Sequence, residues 1–208
     1  MHLSKKNQRD PILFVISGPS GGGKGTIMQR VLAEFPAIQK VVNYTTRPPR
    51  NGEQDGVDYH FIDEKTFRSL QEQGKIFEAE RVYNDYYYGS PSDLLDEGAD
   101  RFIEVDFKGH QKLRRHYNEV VSFFVLPPSF EELERRIRQR SPEANLPARL
   151  NNAREQIAEA GDYDYLIVND DLDVCCCEVI TAIRAEQIKR KGRRFLRRLL
   201  AGTDPNND

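Results

Sequence analysis

Residues 17–26 read SGPSGGGKGT. Gly18, Gly21, Gly22 and Gly23 let backbone N–H groups turn inward around an anion, and Lys24 reaches the β and γ phosphates of a nucleotide. From Gly18 to Gly23 and Lys24 the spacing fits GxxxxGK. The next residue is Gly25 where the pattern wants a hydroxyl, and Thr26 follows one place later. Such a loop holds phosphate best between a strand and a helix N-terminus, whose dipole favours the anion. PILFVI (11–16) reads as that strand, and TIMQRVLAEF (26–35), apolar at helical spacing, as that helix. The chemistry expected is nucleoside triphosphate binding; a flexible glycine turn ahead of a lysine is the plainer alternative.

A second anion receptor follows. TTRPPR sets Arg47 and Arg50 on a proline-stiffened segment, with Tyr59 beyond. Two guanidinium forks and a phenol suit a phosphate dianion, which beside a triphosphate loop suggests the phosphate of an acceptor. Further on, Arg136 and Arg140 lie four apart, hence on one helix face, and Arg149 stands past a proline-containing stretch suited to a flap. Phosphoryl transfer needs positive charge around the equatorial oxygens and exclusion of water; a solvated basic helix face is the alternative. IEVDF places Glu104 and Asp106 on the same side of a strand, where a carboxylate would position hydrated Mg2+ or an acceptor group.

Positioning these groups requires strands that alternate with helices. RFIEVDF (101–107), SFFVLPP (122–128) and YDYLIVNDD (163–171) read as strands. SFEELERRIRQR (129–140) reads as a helix opened by a capping box, Ser129 with Glu132, and a last helix starts near Leu172. This alternation implies a mostly parallel sheet covered on both faces. Residues 41–61 read as extended chain and loop, 63–74 as a short helix closed by glycine, and 76–90 as two strands around a turn near Asn84-Asp85. That block interrupts the βα units as an insertion.

The chain has 208 residues, 38% hydrophobic and 31% charged, a composition for a soluble protein with one good core. No apolar run approaches membrane-spanning length and the start is charged, so a cytoplasmic location is expected. Cys175, Cys176 and Cys177 are consecutive, which fits neither a disulfide framework nor a metal knuckle; they read as small apolar residues of a helix, and no structural metal is expected. Net charge is −2, yet KRKGRRFLRR (189–198) holds seven cations, leaving the remainder at about −9.

With GPSGGGKGT, TTRPPRNGE, DGVDYHF, FE at 77–78, YYGS at 87–90, IEVDFKG, LPPS, LERRI and IVNDDLD in order over residues 11–174, the sequence resembles the guanylate kinases, which move a phosphoryl group from ATP to GMP. The resemblance implies an α/β, P-loop NTPase-type fold: a mostly parallel sheet with helices on both faces, an inserted GMP-binding β-rich region and a small helical lid. It implies ATP contacts from Gly18, Pro19, Ser20, Gly21, Gly22, Gly23, Lys24, Gly25, Thr26 and Asn169. GMP contacts fall to Asn43, Arg47, Arg50, Tyr59, Glu78, Tyr88, Ser90 and Asp106. Of these, Arg47, Arg50, Tyr59 and Tyr88 take the phosphate, and Glu78, assisted by Ser90, Asp106 and Asn43, takes the guanine edge. Catalytic roles fall to Lys24, Arg47, Arg136, Arg140 and Arg149, with Mg2+ arriving on ATP and held by phosphates, water and Thr26.

The chemistry of the base agrees. Guanine presents N1–H and N2–H2 as adjacent donors that one carboxylate accepts together, while O6 needs a donor such as the Ser90 hydroxyl or the Asn43 amide. Adenine reverses the pattern.

Three departures mark this chain: Asn43 stands where the family often has Ser; one extra residue between Glu78 and Tyr88 leaves the choice among Tyr86, Tyr87 and Tyr88 open; and the lid is about two residues short, with Ser141-Pro142 where Gly-Thr is common.

The expected organisation is one domain over 1–188, with core 11–40 and 91–188, a GMP-binding insertion at about 41–90 and a lid at about 137–152. A basic tail follows at 189–208. The partners expected are ATP and GMP, with no requirement for nucleic acid and room for a homo-oligomer; the tail suits an anionic surface if a helix runs on through Gly192. A catalytically dead interaction module and a sugar-phosphate kinase are the competing readings.

Overall fold

All five residues of β1 (Leu13–Ser17) are buried, with no alternation, the pattern of a strand covered on both faces. The computed structural model describes residues 11–50, 52–82, 86–95, 98–140 and 145–202, apart from the side chains of Val82 and Arg140. β1 runs parallel to β7 (Arg101–Glu104) on one side and β8 (Val120–Leu126) on the other. β2 (Gln39–Lys40) and β9 (Tyr165–Val168) complete a parallel sheet in the order β2-β7-β1-β8-β9.

Alternate residues of β1 serve opposite layers. Phe14 and Ile16 join Phe102, Phe123 and Val125 against α1 (Lys24–Glu34) and α6 (Leu172–Leu200). Leu13 and Val15 join Ile103 against Leu113 of α3 (Phe107–His116). Each such buried side chain contributes roughly 1.5–3 kcal/mol, so these two layers fix the sheet on which the phosphate loop rests. Cys175 and Cys176 are buried in the α1–α6 layer and Cys177 is exposed; all three are free thiols on α6.

The block between β2 and β7 forms its own four-stranded sheet, in the order β4-β3-β6-β5. Its strands are β3 (Asn43–Thr45), β4 (Tyr59–Phe61), β5 (Ile76–Val82) and β6 (Tyr86–Pro91). One face is sealed by α2 (Glu64–Glu72), which starts where the Asp63 carboxylate accepts the Thr66 N–H at 2.8 Å. Its Phe67 is fully buried beneath Gly89. A Cβ at Gly89 would stand 2.6 Å from Ile76 Cγ2 and 2.9 Å from Phe67 Cζ, so a side chain there would push the sheet off its helix. The turn expected near Asn84-Asp85 lies outside the described residues.

Two helices, α4 (Phe130–Arg140) and α5 (Leu146–Ala158), pack on one another through Leu133, Ile137 and Ala153. Residues 141–144 of the expected lid, with Ser141 and Pro142, lie outside the described residues. Two local expectations are corrected. Asp106 is not on β7, which ends at Glu104; it caps α3, its carboxylate accepting the Gly109 N–H at 2.9 Å. The Ser129 hydroxyl accepts the Glu132 N–H, but the Glu132 carboxylate turns to Arg135 and Arg136 instead of closing a capping box. The last helix does run on through Gly192, α6 continuing to Leu200. No helix among the described residues is long and apolar enough to cross a membrane.

Candidate active site

The phosphate loop leaves β1 and enters α1 through three glycines with positive φ: Gly18 at 145°, Gly21 at 89° and Gly23 at 90°. Two of these positions are also closed to any side chain. At Gly18 a Cβ would stand 2.5 Å from the Val125 carbonyl oxygen, and at Gly23 it would fall onto the Asn169 amide. The loop tightens where Gly22 N–H bonds Pro19 O at 3.0 Å, across Ser20 and Gly21. From the other side Ile137 of α4 lies 3.1 Å from where a Gly21 Cβ would be. Gly25 and Thr26 are exposed on the first turn of α1, and nothing stands within 4 Å of a Gly25 Cβ.

Lys24 folds back over this loop. Its ammonium donates to Gly18 O at 2.7 Å and Pro19 O at 3.1 Å and lies 3.4 Å from the Glu104 carboxylate at the end of β7. Asn169, directly after β9, is buried; its Nδ2 donates to Gly22 O at 2.8 Å and its backbone N–H to Leu126 O at 2.9 Å. Asn169 therefore ties the loop to the sheet. Its own carbonyl accepts Arg136 at 3.1 Å, and Arg136 also donates to Glu132 at 2.7 Å, so one lid arginine is fixed at the loop's rim. Arg149 is half-buried on the first turn of α5. Arg140 closes α4, its side chain lying outside the described residues.

The small sheet presents the other nominated residues on one face. Asn43 pairs with Tyr59 across β3 and β4, and Glu78 with Ser90 across β5 and β6. The antiparallel register Tyr44–Gly89, carried one step on, sets Asn43 opposite Ser90. Tyr59, Asn43, Ser90 and Glu78 thus form a single row across four strands, and residues paired directly across a ladder share a face. The next row on that face is Phe61, Thr45, Tyr88 and Glu80. Of the three tyrosines, Tyr88 is the one on the face of Arg47 and Tyr59. Tyr88 meets the Tyr59 ring at 5.9 Å and its hydroxyl accepts Arg47 Nε at 3.1 Å. Tyr87 points to the other face, stacked near Phe67 and bonded by Arg68, and Tyr86 pairs with Val82 two residues nearer the strand end.

Arg47 is buried between the Tyr59 and Phe61 rings, and both its terminal nitrogens hold Glu53, at 2.9 and 3.0 Å. Glu53 also accepts the Arg50 N–H at 2.7 Å, while the Arg50 side chain is exposed. Burial pushes the Tyr59 hydroxyl far above its usual range, so it remains a neutral donor.

At the other end of the row, Glu78 is buried, with Oε1 accepting the Ser90 hydroxyl at 3.1 Å. Burial first and the nearby Asp106 charge second push its pKa up to about 7. Its Oε2 has no partner, nor has Asn43 Oδ1, because the Asn43 nitrogen is taken by Glu104 O at 2.7 Å. The amide expected to donate to O6 therefore offers an acceptor.

Several contributors escaped the sequence reading. Glu53 follows the arginine pair in TTRPPRNGE, yet nothing local signals that it holds Arg47. Lys112 bonds Glu80 at 2.8 Å and so docks β5 on α3. Gly109 matters because a Cβ there would stand 2.7 and 2.8 Å from the two Glu78 carboxylate oxygens. An Asp three residues ahead of Gly109 signals a helix cap, but nothing local signals the Glu78 contact.

The donor set is suited to a metal carried on phosphate. No group of three or more His, Cys, Asp or Glu among the described residues is arranged to hold an ion, whereas Mg2+ often takes one or two protein oxygens and completes its shell with phosphates and water. Glu104, beside Lys24, and exposed Thr26 are the oxygens available at the loop.

Comparison with known proteins supplies the chain's relatives. The family model described as guanylate kinase matches residues 10–186. The guanylate kinase of Zymomonas mobilis is 41% identical over 204 residues, covering 93% of this chain and 94% of its own. That of Sphingopyxis alaskensis is 40% identical over 198 residues, covering 92% and 88%. The crystal structure of guanylate kinase from Anaplasma phagocytophilum superposes with a TM-score of 0.72 at 34% identity, covering 86% of this chain and 88% of that one.

Proposed function

The chain belongs to the guanylate kinase family, and from that premise we propose that it transfers the γ-phosphoryl group of ATP to GMP, giving ADP and GDP, with Mg2+ on the ATP. The observation that carries the choice of acceptor is the pair of buried, unpartnered oxygens, Glu78 Oε2 and Asn43 Oδ1, in one row with Ser90. Buried acceptors without donors are costly, and the guanine edge supplies N1–H and N2–H2, while the Ser90 hydroxyl, turned from Glu78 Oε1 that guanine then satisfies, supplies a donor for O6. Adenine would bring its own acceptor, N1, against them.

In this reading the core, 11–40 and 91–188, holds ATP, the insertion at 41–90 holds GMP and the lid at 137–152 closes over both. Backbone N–H groups between residues 20 and 25 cradle the triphosphate. Asn169 acts on the loop's shape, since its amide is spent on Gly22 O. Lys24 exchanges the loop carbonyls for phosphate oxygens. Arg47, Arg50, Tyr59 and Tyr88 orient the GMP phosphate so that one of its oxygens attacks the γ-phosphorus in line while the bond to the β-bridging oxygen breaks. Arg136, Arg140 and Arg149 neutralise the transferring group and exclude water. Thr26 and Glu104 are the residues that would face Mg2+ carried on ATP, which when bound would offset the charge of the phosphates. The reaction belongs to purine nucleotide metabolism, and a cytoplasmic location completes the reading.

The experiment is ADP release by the purified chain with ATP, Mg2+ and either GMP, AMP or a sugar phosphate. GMP alone should support turnover; turnover with the sugar phosphate alone, or with none, would replace this reading by one of its competitors.

A further inference from the structure

β5 stands at the edge of the small sheet, in the order β4-β3-β6-β5, and on that side its residues meet α3. Glu78 and Glu80, two apart on a strand, project to one side. On α3, Asp106, Gly109 and Lys112 follow one another at intervals of three, hence along one side of the helix. The two rows interlock. A Cβ at Gly109 would stand 2.7 and 2.8 Å from the Glu78 oxygens, while Lys112 Nζ donates to Glu80 Oε1 at 2.8 Å and Lys108 Nζ lies 3.7 Å from Glu80 Oε2. On the other side of Glu78, the Phe77 ring packs 4.6 Å from that of His116 and 5.9 Å from that of Tyr117. Glu78 is thus bracketed by two fastenings of β5 to α3, one apolar and one ionic.

We infer that Lys112 is a positioning residue for recognition of the guanine base, holding through Glu80 the strand that carries Glu78. The inference rests on the reading of Glu78 as the group that accepts the guanine donors. Fastened at Phe77 alone, β5 is free to pivot and to carry Glu78 out of its row with Ser90 and Asn43; a second point removes that freedom. A partly exposed ion pair contributes little to overall stability, so its consequence is local. Charge acts in the same direction. Burial opposes the Glu78 carboxylate first, and Asp106 from the α3 cap and Glu80 from its own strand add to that, whereas the Ser90 hydroxyl and the Lys112 ammonium favour it. Lys112 therefore both seats the base reader and favours the ionised form that the base requires.

The experiment is steady-state kinetics with GMP and ATP, and calorimetric GMP titration across about pH 5.5–8.5, on the full chain and its Lys112→Met, Lys112→Arg and Glu80→Gln variants. Lys112→Met should raise the KM for GMP by about fivefold and leave kcat and the KM for ATP within about twofold, the pattern of binding lost equally from ground and transition states. Lys112→Arg should restore the wild-type values. Glu80→Gln should also raise the KM for GMP, and combining it with Lys112→Met should add nothing beyond the larger single effect, since both break one link. The pH at which GMP affinity levels off should move in opposite directions: up by about half a unit in Lys112→Met, which loses a favouring cation, and down in Glu80→Gln, which loses an opposing anion. Ionisation of the GMP phosphate is common to every variant and cancels in that comparison. A wild-type chain that does not turn over GMP would overturn the reading of Glu78 and this inference together. GMP turnover in wild type with an unchanged KM and pH profile in Lys112→Met, or with the KM for GMP and ATP raised alike, would overturn the inference alone.

Discussion

Glu78 sits in surroundings that oppose its charge. Burial and the Asp106 charge raise its pKa to about 7. With the folded value above the ordinary 4.5, the protonated carboxyl favours the fold below about pH 4.5. That contribution is lost as pH rises through 7. In the proposed reading Glu78 accepts two guanine donors as the carboxylate, so GMP binding expels this proton. We expect the dissociation constant for GMP to fall by roughly tenfold or more between pH 6 and 8, measured calorimetrically, and Glu78→Gln to bind weakly, keeping only the shallow change that ionisation of the GMP phosphate near about pH 6 brings. A wild-type profile no steeper than the variant's would show that Glu78 is not the reader. Lys24 tests the other nucleotide. Its ammonium is satisfied by Gly18 and Pro19 carbonyls that water can also serve, so Lys24→Ala should fold with a melting temperature within a few degrees of wild type. Its kcat should fall by about 10²–10³. Near-normal turnover would remove the lysine from the mechanism.

At the scale of elements, the start of α3 does two jobs: Asp106 caps it, and Gly109 on the same turn leaves room for the Glu78 carboxylate. Gly109→Ala improves helix propensity by up to about 1 kcal/mol while pushing its Cβ into Glu78. The expected result is a melting temperature unchanged or raised, a KM for GMP raised roughly tenfold and a KM for ATP unaffected. An unchanged KM for GMP would separate α3 from base recognition. This is also where the sequence misled. IEVDF alternates like a strand, so Glu104 and Asp106 read as neighbours on one side, although capping chemistry was available from Asp106 and the residues after it. The phosphate loop was legible because its function is written in local backbone requirements. Gly109 was not, because its requirement comes from a strand of the other sheet. Spacing alone does not say which of Tyr86, Tyr87 and Tyr88 shares the face of Arg47; strand register puts Tyr88 there and sends Tyr87 to the α2 face.

For the whole molecule, the two sheets divide the proposed chemistry, one holding the phosphate loop and the other the row proposed to read the base. The alternation of strands and helices made the parallel sheet legible, whereas the second sheet's order, with β3 between β4 and β6, depends on tertiary pairing that no local pattern encodes. Lys112 and Glu80 join the sheets through α3, so 41–90 and the lid are the segments expected to close on substrate. Hydrogen exchange with ATP analogue and GMP together should add protection in both; protection in neither would argue against closure. The most direct measurement is the ratio of kcat/KM for GMP to that for AMP, in wild type and in Glu78→Gln. The row of Tyr59, Asn43, Ser90 and Glu78 predicts a wild-type ratio on the order of 10⁴, collapsing by at least tenfold in the variant through loss of the GMP reaction. A wild-type ratio near unity, or one that the substitution leaves intact, would contradict the assignment of guanine recognition to this face.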